Sequence, residues 1–293
     1  MRCWRPGLGP LSSHVRFSGW PAQLARRRRL AAAVTGVGAL VLTLLGVAAA
    51  SVLAGPGAPS AAARQPARLP GPVRHAAAIV AGPVRTRVLR TSCRSVAHIG
   101  DSTSVGLISP ESLPDPAQRL AARYAAVGVR HLRVNASGGR SIVEVLPGQV
   151  NGYQVAARWR SEGYRGCWVV ALGTNDTANV AVGSAVGRMA RIGRMMSVAH
   201  GEPVMWVTTR TLLASGPWSE SDMQLWNDAL RRACAIYPNL RIFDWSSVAN
   251  PGWYISDGIH YTPAGYAARS QAIADALARA FRPGGASRSC VVR

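Results

Sequence analysis

The stretch Cys167-Trp168-Val169-Val170-Ala171-Leu172 runs straight into Gly173-Thr174-Asn175-Asp176. A short, continuous, Val-containing apolar run reads as a strand buried on both faces. The small and polar residues after it read as a loop at the strand's carboxyl end. The same arrangement recurs on either side. Ser95-Val96-Ala97-His98-Ile99 ends at Gly100-Asp101-Ser102-Thr103-Ser104, and residues 129–134 end at Asn135-Ala136-Ser137-Gly138-Gly139. Residues 203–208 and 240–245 supply two further strands. Helical patterns fill the intervals at 116–127, 150–164, 184–199 and 220–236, and an Ala-rich helix over 263–281 closes the series. Strands alternating with helices predict an α/β fold with a five-stranded parallel sheet covered on both faces. In such sheets the ligand site lies at the carboxyl ends of the strands.

Composition narrows the chemistry. The chain is 48% hydrophobic and 16% charged, which excludes a disordered polymer. All 34 basic residues are Arg, against 13 Asp and Glu, for a formal charge of +21. Residues 1–92 hold 13 Arg and no acid, and residues 93–293 hold 21 Arg and all 13 acids. The basicity is thus concentrated near the N-terminus and does not argue for nucleic-acid binding. Without Lys there is neither a P-loop lysine nor a lysine Schiff base. No Cys-x-x-Cys or His-Glu-x-x-His spacing points to zinc.

Residues 30–54 carry no charge and are almost wholly apolar. As a helix they span about 37 Å, more than the roughly 30 Å hydrocarbon core. Arg26, Arg27, Arg28 and Arg29 precede them, while only Arg64 and Arg68 follow at a similar distance. That asymmetry predicts a cytoplasmic segment 1–29, a single transmembrane helix or signal anchor at 30–54, and an extracytoplasmic remainder. The alternative is a signal peptide cleaved near Ala48-Ala49-Ala50, with the domain secreted. Residues 55–92, rich in Pro, Ala and Arg, read as a linker, and residues 93–293 as the main domain. Cys93, Cys167, Cys234 and Cys290 fall in that domain at the sheet end away from the ligand side. Two disulfides are therefore possible, with the pairing open.

The loops after the strands gather one Ser, backbone-donating Gly residues, an amide side chain and the pair Asp257 and His260 of Ser256-Asp257-Gly258-Ile259-His260. Acyl transfer needs such parts: a nucleophile, a base, a group that orients the base, and donors for an oxyanion. Of the six His, His260 stands best as base. His14 and His75 lie outside the domain, His98 and His131 lie in strands, and His200 is at the opposite sheet edge. Trp253 and Tyr254 either line an acyl or sugar pocket or pack at the rim. Arg188, Arg191 and Arg194 read as a solvated basic face of their helix rather than an anion site.

Four blocks in order, Gly100-Asp101-Ser102, the glycine after the second strand, Gly173-Thr174-Asn175-Asp176 and Asp257-Gly258-Ile259-His260, resemble the SGNH hydrolase superfamily of GDSL-type esterases and lipases. The resemblance covers about residues 94–282. It implies a flavodoxin-like three-layer α/β/α sandwich. It also implies a catalytic Ser102, Asp257 and His260, an oxyanion hole from the N–H groups of Ser102 and Gly139 and the amide of Asn175, and no metal or cofactor. Thr103 stands where many members have Ser, and the trailing Leu comes only at Leu107. Ser137-Gly138-Gly139-Arg140 offers two glycines, of which Gly139 keeps the family spacing to Ser141. Asp101 and Asp176 are expected to orient loops. The expected activity is that of a membrane-anchored extracytoplasmic serine esterase acting on an acyl ester, including esters of cell-envelope lipid or glycan. An O-acyltransferase using the same residues is the alternative, and a non-catalytic envelope-binding module a third reading.

Overall fold

A computed structural model of the chain describes residues 88–178 and 183–293. The basic segment 1–29, the expected transmembrane helix at 30–54 and the expected linker up to residue 87 lie outside the described residues.

Five principal strands, β1 (Ser95–Gly100), β2 (His131–Ala136), β3 (Cys167–Ala171), β4 (Val204–Val207) and β5 (Leu240–Phe243), pair in parallel in the order β2-β1-β3-β4-β5. This is a doubly wound arrangement whose order reverses beside β1. Its longer helices are α2 (Leu120–Ala126), α3 (Gly152–Ser161), α5 (Ala185–Ala199), α6 (Glu220–Ala233) and α8 (Pro263–Ala280). Short turns of helix, α1 (Ser102–Val105), α4 (Thr174–Thr177) and α7 (Trp245–Val248), follow β1, β3 and β5 directly.

The strands alternate between two cores. Val96, Val169, Ala171, Met205, Val207 and Phe243 pack with α2 and α8, whereas Ala97, Ile99, Val170, Trp206 and Ile242 pack with α3, α5 and α6. A strand apolar at every position is what such a sheet requires, because successive side chains enter opposite layers. Helix starts follow from capping. Asn151 and Gln154 form a reciprocal capping box on α3, and Thr262 followed by Pro263 opens α8.

The sheet has six strands rather than the expected five. β8 (Val291–Val292) extends it beside β5. Two residues give no periodic signal. Their pairing is held by the bonds Ile242 N–H to Cys290 O (2.7 Å) and Asp244 N–H to Val292 O (3.0 Å), and by the Cys234–Cys290 disulfide. Between α8 and β8 lies a small hairpin, β6 (Phe281–Arg282) and β7 (Gly285–Ala286). The second disulfide, Cys93–Cys167, ties the starts of β1 and β3. Thr91, just upstream of Cys93, is buried as well, its N–H donating to Val127 O and its hydroxyl to Phe281 O.

Both disulfides sit at the amino ends of the strands, far from the loops that follow β1, β2 and β3. Replacing Cys234 and Cys290 by Ser is therefore expected to lower stability by about 2–4 kcal/mol while leaving the turnover of the folded protein unchanged. Denaturant titration beside an ester assay measures both. A fall in turnover without a fall in stability would contradict this division between the two ends.

The predicted solvated basic face of α5 is not found. Arg188 and Arg191 are buried, and the Arg194 guanidinium lies 4.3 Å from the Tyr153 ring centroid. The physical reason is clearest at Arg191, which meets the buried Asp176 and the partly buried Glu144.

Candidate active site

β1 ends at Gly100, and the chain turns at once into α1. Asp101 is its N-cap: Oδ1 accepts from the Thr103 N–H at 2.9 Å and from the Thr103 hydroxyl at 2.7 Å. Ser102, half-buried, is the first residue of α1. Its N–H belongs to the first turn, which a helix leaves without an intrahelical acceptor. Burial pushes the Asp101 carboxyl up, against the hydrogen bonds from Thr103 and the positive charge of Arg269.

The loop after β2 is stitched to the same turn. Ser137 N–H donates to Gly100 O at 3.3 Å, and the buried Arg140 side chain donates to Gly100 O (3.2 Å), Asn135 O (2.8 Å) and Val150 O (3.2 Å). Gly139 has φ +69°, in the left-handed region that favours glycine. Gly138 has no such constraint, and a side chain there would meet open space.

After β3, Gly173 has φ +136°, and a Cβ on it would lie 2.2 Å from the Trp226 indole, so this turn admits only glycine. It opens α4, from which the Asn175 amide donates to Arg140 O at 3.1 Å. That bond uses one N–H of the amide and fixes its orientation, leaving the other N–H available. Asp176, fully buried, accepts from Ile142 N–H at 3.1 Å and from Arg191 at 3.0 Å, and Arg191 also pairs with Glu144. Burial raises the Asp176 carboxyl to about 7, against the pull of the Ile142 N–H and of Arg191. The two acids of the first and third blocks thus orient loops, as expected.

Beyond β5 the chain forms a tight loop. His260 Nδ1 lies 2.6 Å from Asp257 Oδ2, while Asp257 Oδ1 accepts from the N–H groups of Ile259 (2.8 Å) and His260 (2.9 Å). Partial burial pushes the Asp257 carboxyl up, but the hydrogen bonds from the His260 ring and from these two N–H groups outweigh it and hold the group below the usual carboxylate range. The loop is fixed at both ends, by Leu212 N–H to Gly258 O and by Thr262 N–H to Trp253 O, each 2.8 Å.

Residues 98–268 match the GDSL-like lipase/acylhydrolase family, more than half of the chain and all four blocks. The chain belongs to that family. It is accordingly a serine hydrolase that acts on esters. Among solved structures, the lipase/acylhydrolase from Enterococcus faecalis is similar at 17% identity and a TM-score of 0.50, over 65% of this chain and 98% of that one. The C-terminal catalytic domain of peptidoglycan O-acetyltransferase A from Streptococcus pneumoniae is similar at 16% identity, TM-score 0.48, over 63% of this chain and 93% of that one. A carbohydrate acetylesterase family member from Sinorhizobium meliloti is similar at 17%, TM-score 0.49, over 61% and 95%. These likenesses concern the fold, and the first of them carries it. No curated protein matches the sequence significantly.

For this GDSL-family chain the fold brings the predicted residues to one end of the sheet. Asp257 and His260 are bonded directly. Asn175 holds the carbonyl of the residue after Gly139. Ser102 and His260 share no direct hydrogen bond among the described residues; such bonds are often long until substrate binds. Of the two readings of Trp253 and Tyr254, packing prevails. Trp253 stacks on Trp245 at 5.8 Å, and Tyr254 is buried against Tyr261. His98 is a core residue, its Nδ1 2.9 Å from the Tyr124 hydroxyl, and burial followed by the Arg269 charge lowers its pKa to about 3. Arg140, to which the sequence assigns no role, clamps the first two blocks together.

Proposed function

We propose that the protein is an extracytoplasmic serine esterase, tethered by residues 30–54, that hydrolyses carboxylic esters through an acyl-enzyme on Ser102. His260 Nε2 takes the hydroxyl proton as Ser102 Oγ attacks the ester carbonyl carbon. Asp257 holds the other ring nitrogen and supports the imidazolium that forms. The N–H groups of Ser102 and Gly139 and the free N–H of the Asn175 amide receive the charge that develops on the carbonyl oxygen. His260 returns the proton to the departing alcohol. Water then attacks the acyl-enzyme with His260 again as base, releasing the acid and restoring Ser102.

The observation that carries this reading is the 2.6 Å bond between Asp257 and His260, with the carboxylate already anchored by two backbone N–H groups. A base so oriented has a fixed tautomer before substrate arrives. A panel of chromogenic esters of increasing acyl length, with Ser102→Ala as control, tests the activity and reads out the acyl preference. Turnover of every ester unaffected by Ser102→Ala would end this reading.

Export is supported by the two disulfides, which persist in oxidising compartments, and by the excess of Arg ahead of residue 30. Protease added to intact spheroplasts is expected to digest the domain. Protection until lysis would reverse the topology, and recovery of the chain in the medium would favour cleavage.

A further inference from the structure

Helix α8 carries an arginine on its buried stripe. Arg269, three residues after Tyr266 and four before Ile273, is 3% exposed among the core side chains. Its Nε and Nη1 have no hydrogen-bond partner among the described residues. The guanidinium carbon instead lies 4.8 Å from the Trp245 ring centroid and 5.3 Å from that of Tyr261. The two rings are joined by a 2.8 Å bond from Trp245 Nε1 to the Tyr261 hydroxyl. Aromatic faces attract a cation, but a buried charge remains costly unless it is paired, and an apolar side chain of similar size would fill this space without that cost. Packing alone does not account for Arg269.

Its contacts do. Nη2 donates to Thr103 Oγ1 at 3.4 Å, and the same hydroxyl donates to Asp101 Oδ1 at 2.7 Å. Thr103 is the neighbour of Ser102, and Tyr261 is the neighbour of His260. One side chain therefore touches both halves of the proposed machinery, which come from opposite ends of the domain's sequence. We infer that Arg269 is a positioning residue that locks the nucleophile turn against the general-base loop, through Thr103 and Asp101 on one side and the Trp245–Tyr261 cage on the other. The inference rests on the roles proposed for Ser102 and His260.

Charge is part of this lock, because Asp101 caps α1 best as a carboxylate. The groups around Asp101 are Arg269 and Tyr266 from α8, Arg140 from the loop after β2, Thr174 from α4 and Thr103 from α1, while His98 on β1 faces Arg269. His98 and Tyr266 are neutral near pH 7. Burial drives Asp101 towards its protonated form, and the Arg269 charge opposes that. Without Arg269, Asp101 takes up its proton at higher pH, and the cap weakens there.

The test is kcat and KM for a chromogenic ester across pH, with melting temperatures, on the full chain and on Arg269→Met, Arg269→Lys and Thr103→Val. Arg269→Met is expected to lower kcat by about 10- to 100-fold, the scale of a misplaced reacting group, with KM little changed and the acid limb of kcat moved to higher pH. Arg269→Lys is expected to return the acid limb towards that of the wild type. A merely structural arginine would cost melting temperature and leave the limb in place. A folded Arg269→Met with wild-type kcat and an unmoved limb overturns the inference. Where Arg269→Met does not fold, Thr103→Val carries the test by removing the bridging hydroxyl, and wild-type kcat in that variant is equally fatal. Fluorophosphonate labelling of the wild type separates the two layers. Failure to label Ser102 sinks the nucleophile assignment itself, whereas labelled Ser102 with rates insensitive to Arg269 and Thr103 sinks only the lock.

Discussion

Replacing Ser102 by Ala is expected to reduce ester turnover by about 10⁶-fold, the loss seen when the nucleophile is removed from a Ser-His-Asp unit. A free hydroxyl is a weak nucleophile and reacts only where a base removes its proton as it attacks. The base is therefore worth little without the serine, and the serine little without the base. His260→Ala should fall nearly as far, and the double variant should be no worse than either single one. What remains should be the contribution of substrate binding and the oxyanion donors, about 10³–10⁴ over water. Stability should be untouched by Ser102→Ala. Ser102 opens α1 while Asp101 supplies the cap, and Ala is at ease in a helix. Melting curves beside kcat measure both. A fluorophosphonate should label wild-type Ser102 and leave Ser102→Ala unmarked. Labelling of a different serine, with Ser102→Ala fully active, is the outcome this mechanism does not survive.

The strands were readable because burial on both faces leaves a continuous apolar run. Trp168-Val169-Val170-Ala171-Leu172 shows it best, its residues entering the two cores in turn. β8 was not readable. Two Val residues near the end of the chain carry no period, and what pairs them with β5 is a covalent bond to Cys234 together with main-chain contacts from Ile242 and Asp244. The site divides in the same way. Asp257 and His260 meet because three residues on a tight Gly-containing loop suffice, so local spacing reports the contact. Arg140 and Arg269 carry no assignment from the sequence, and Arg191 reads there as part of a solvated face, because arginine reads as surface by default, all the more in a chain with 34 of them. Position held the missing signal. Arg269 falls in the Tyr266–Ile273–Leu277 stripe of α8, where a charge is out of place unless something buried needs it. Arg191 gave less warning, since its acids, Asp176 on α4 and Glu144 after β2, belong to separate segments and only the fold shows that they converge.

Asn175→Ala is expected to lower kcat by about 10²–10³-fold with a small change in KM, the effect of removing one oxyanion donor. The amide earns that assignment from its geometry. One N–H is committed to Arg140 O at 3.1 Å, so the side chain cannot rotate freely and the second N–H is held in a constant direction. A donor held in advance stabilises charge as it appears, and costs no reorganisation in the transition state. Asn175→Asp then separates two roles. A carboxylate has no N–H for Arg140 O or for the oxyanion, and it sets negative charge against both. It should be at least as damaging as Ala to kcat, and it should also lower the melting temperature by loosening the loop that Arg140 organises. If Asn175 served only to shape the turn after Gly173, Ala would cost stability and leave kcat nearly normal in the folded protein. Turnover, KM and melting temperature on both variants distinguish these outcomes. Near-normal kcat in a stable Asn175→Ala protein would remove the amide from the mechanism and leave the oxyanion to the two backbone N–H groups alone.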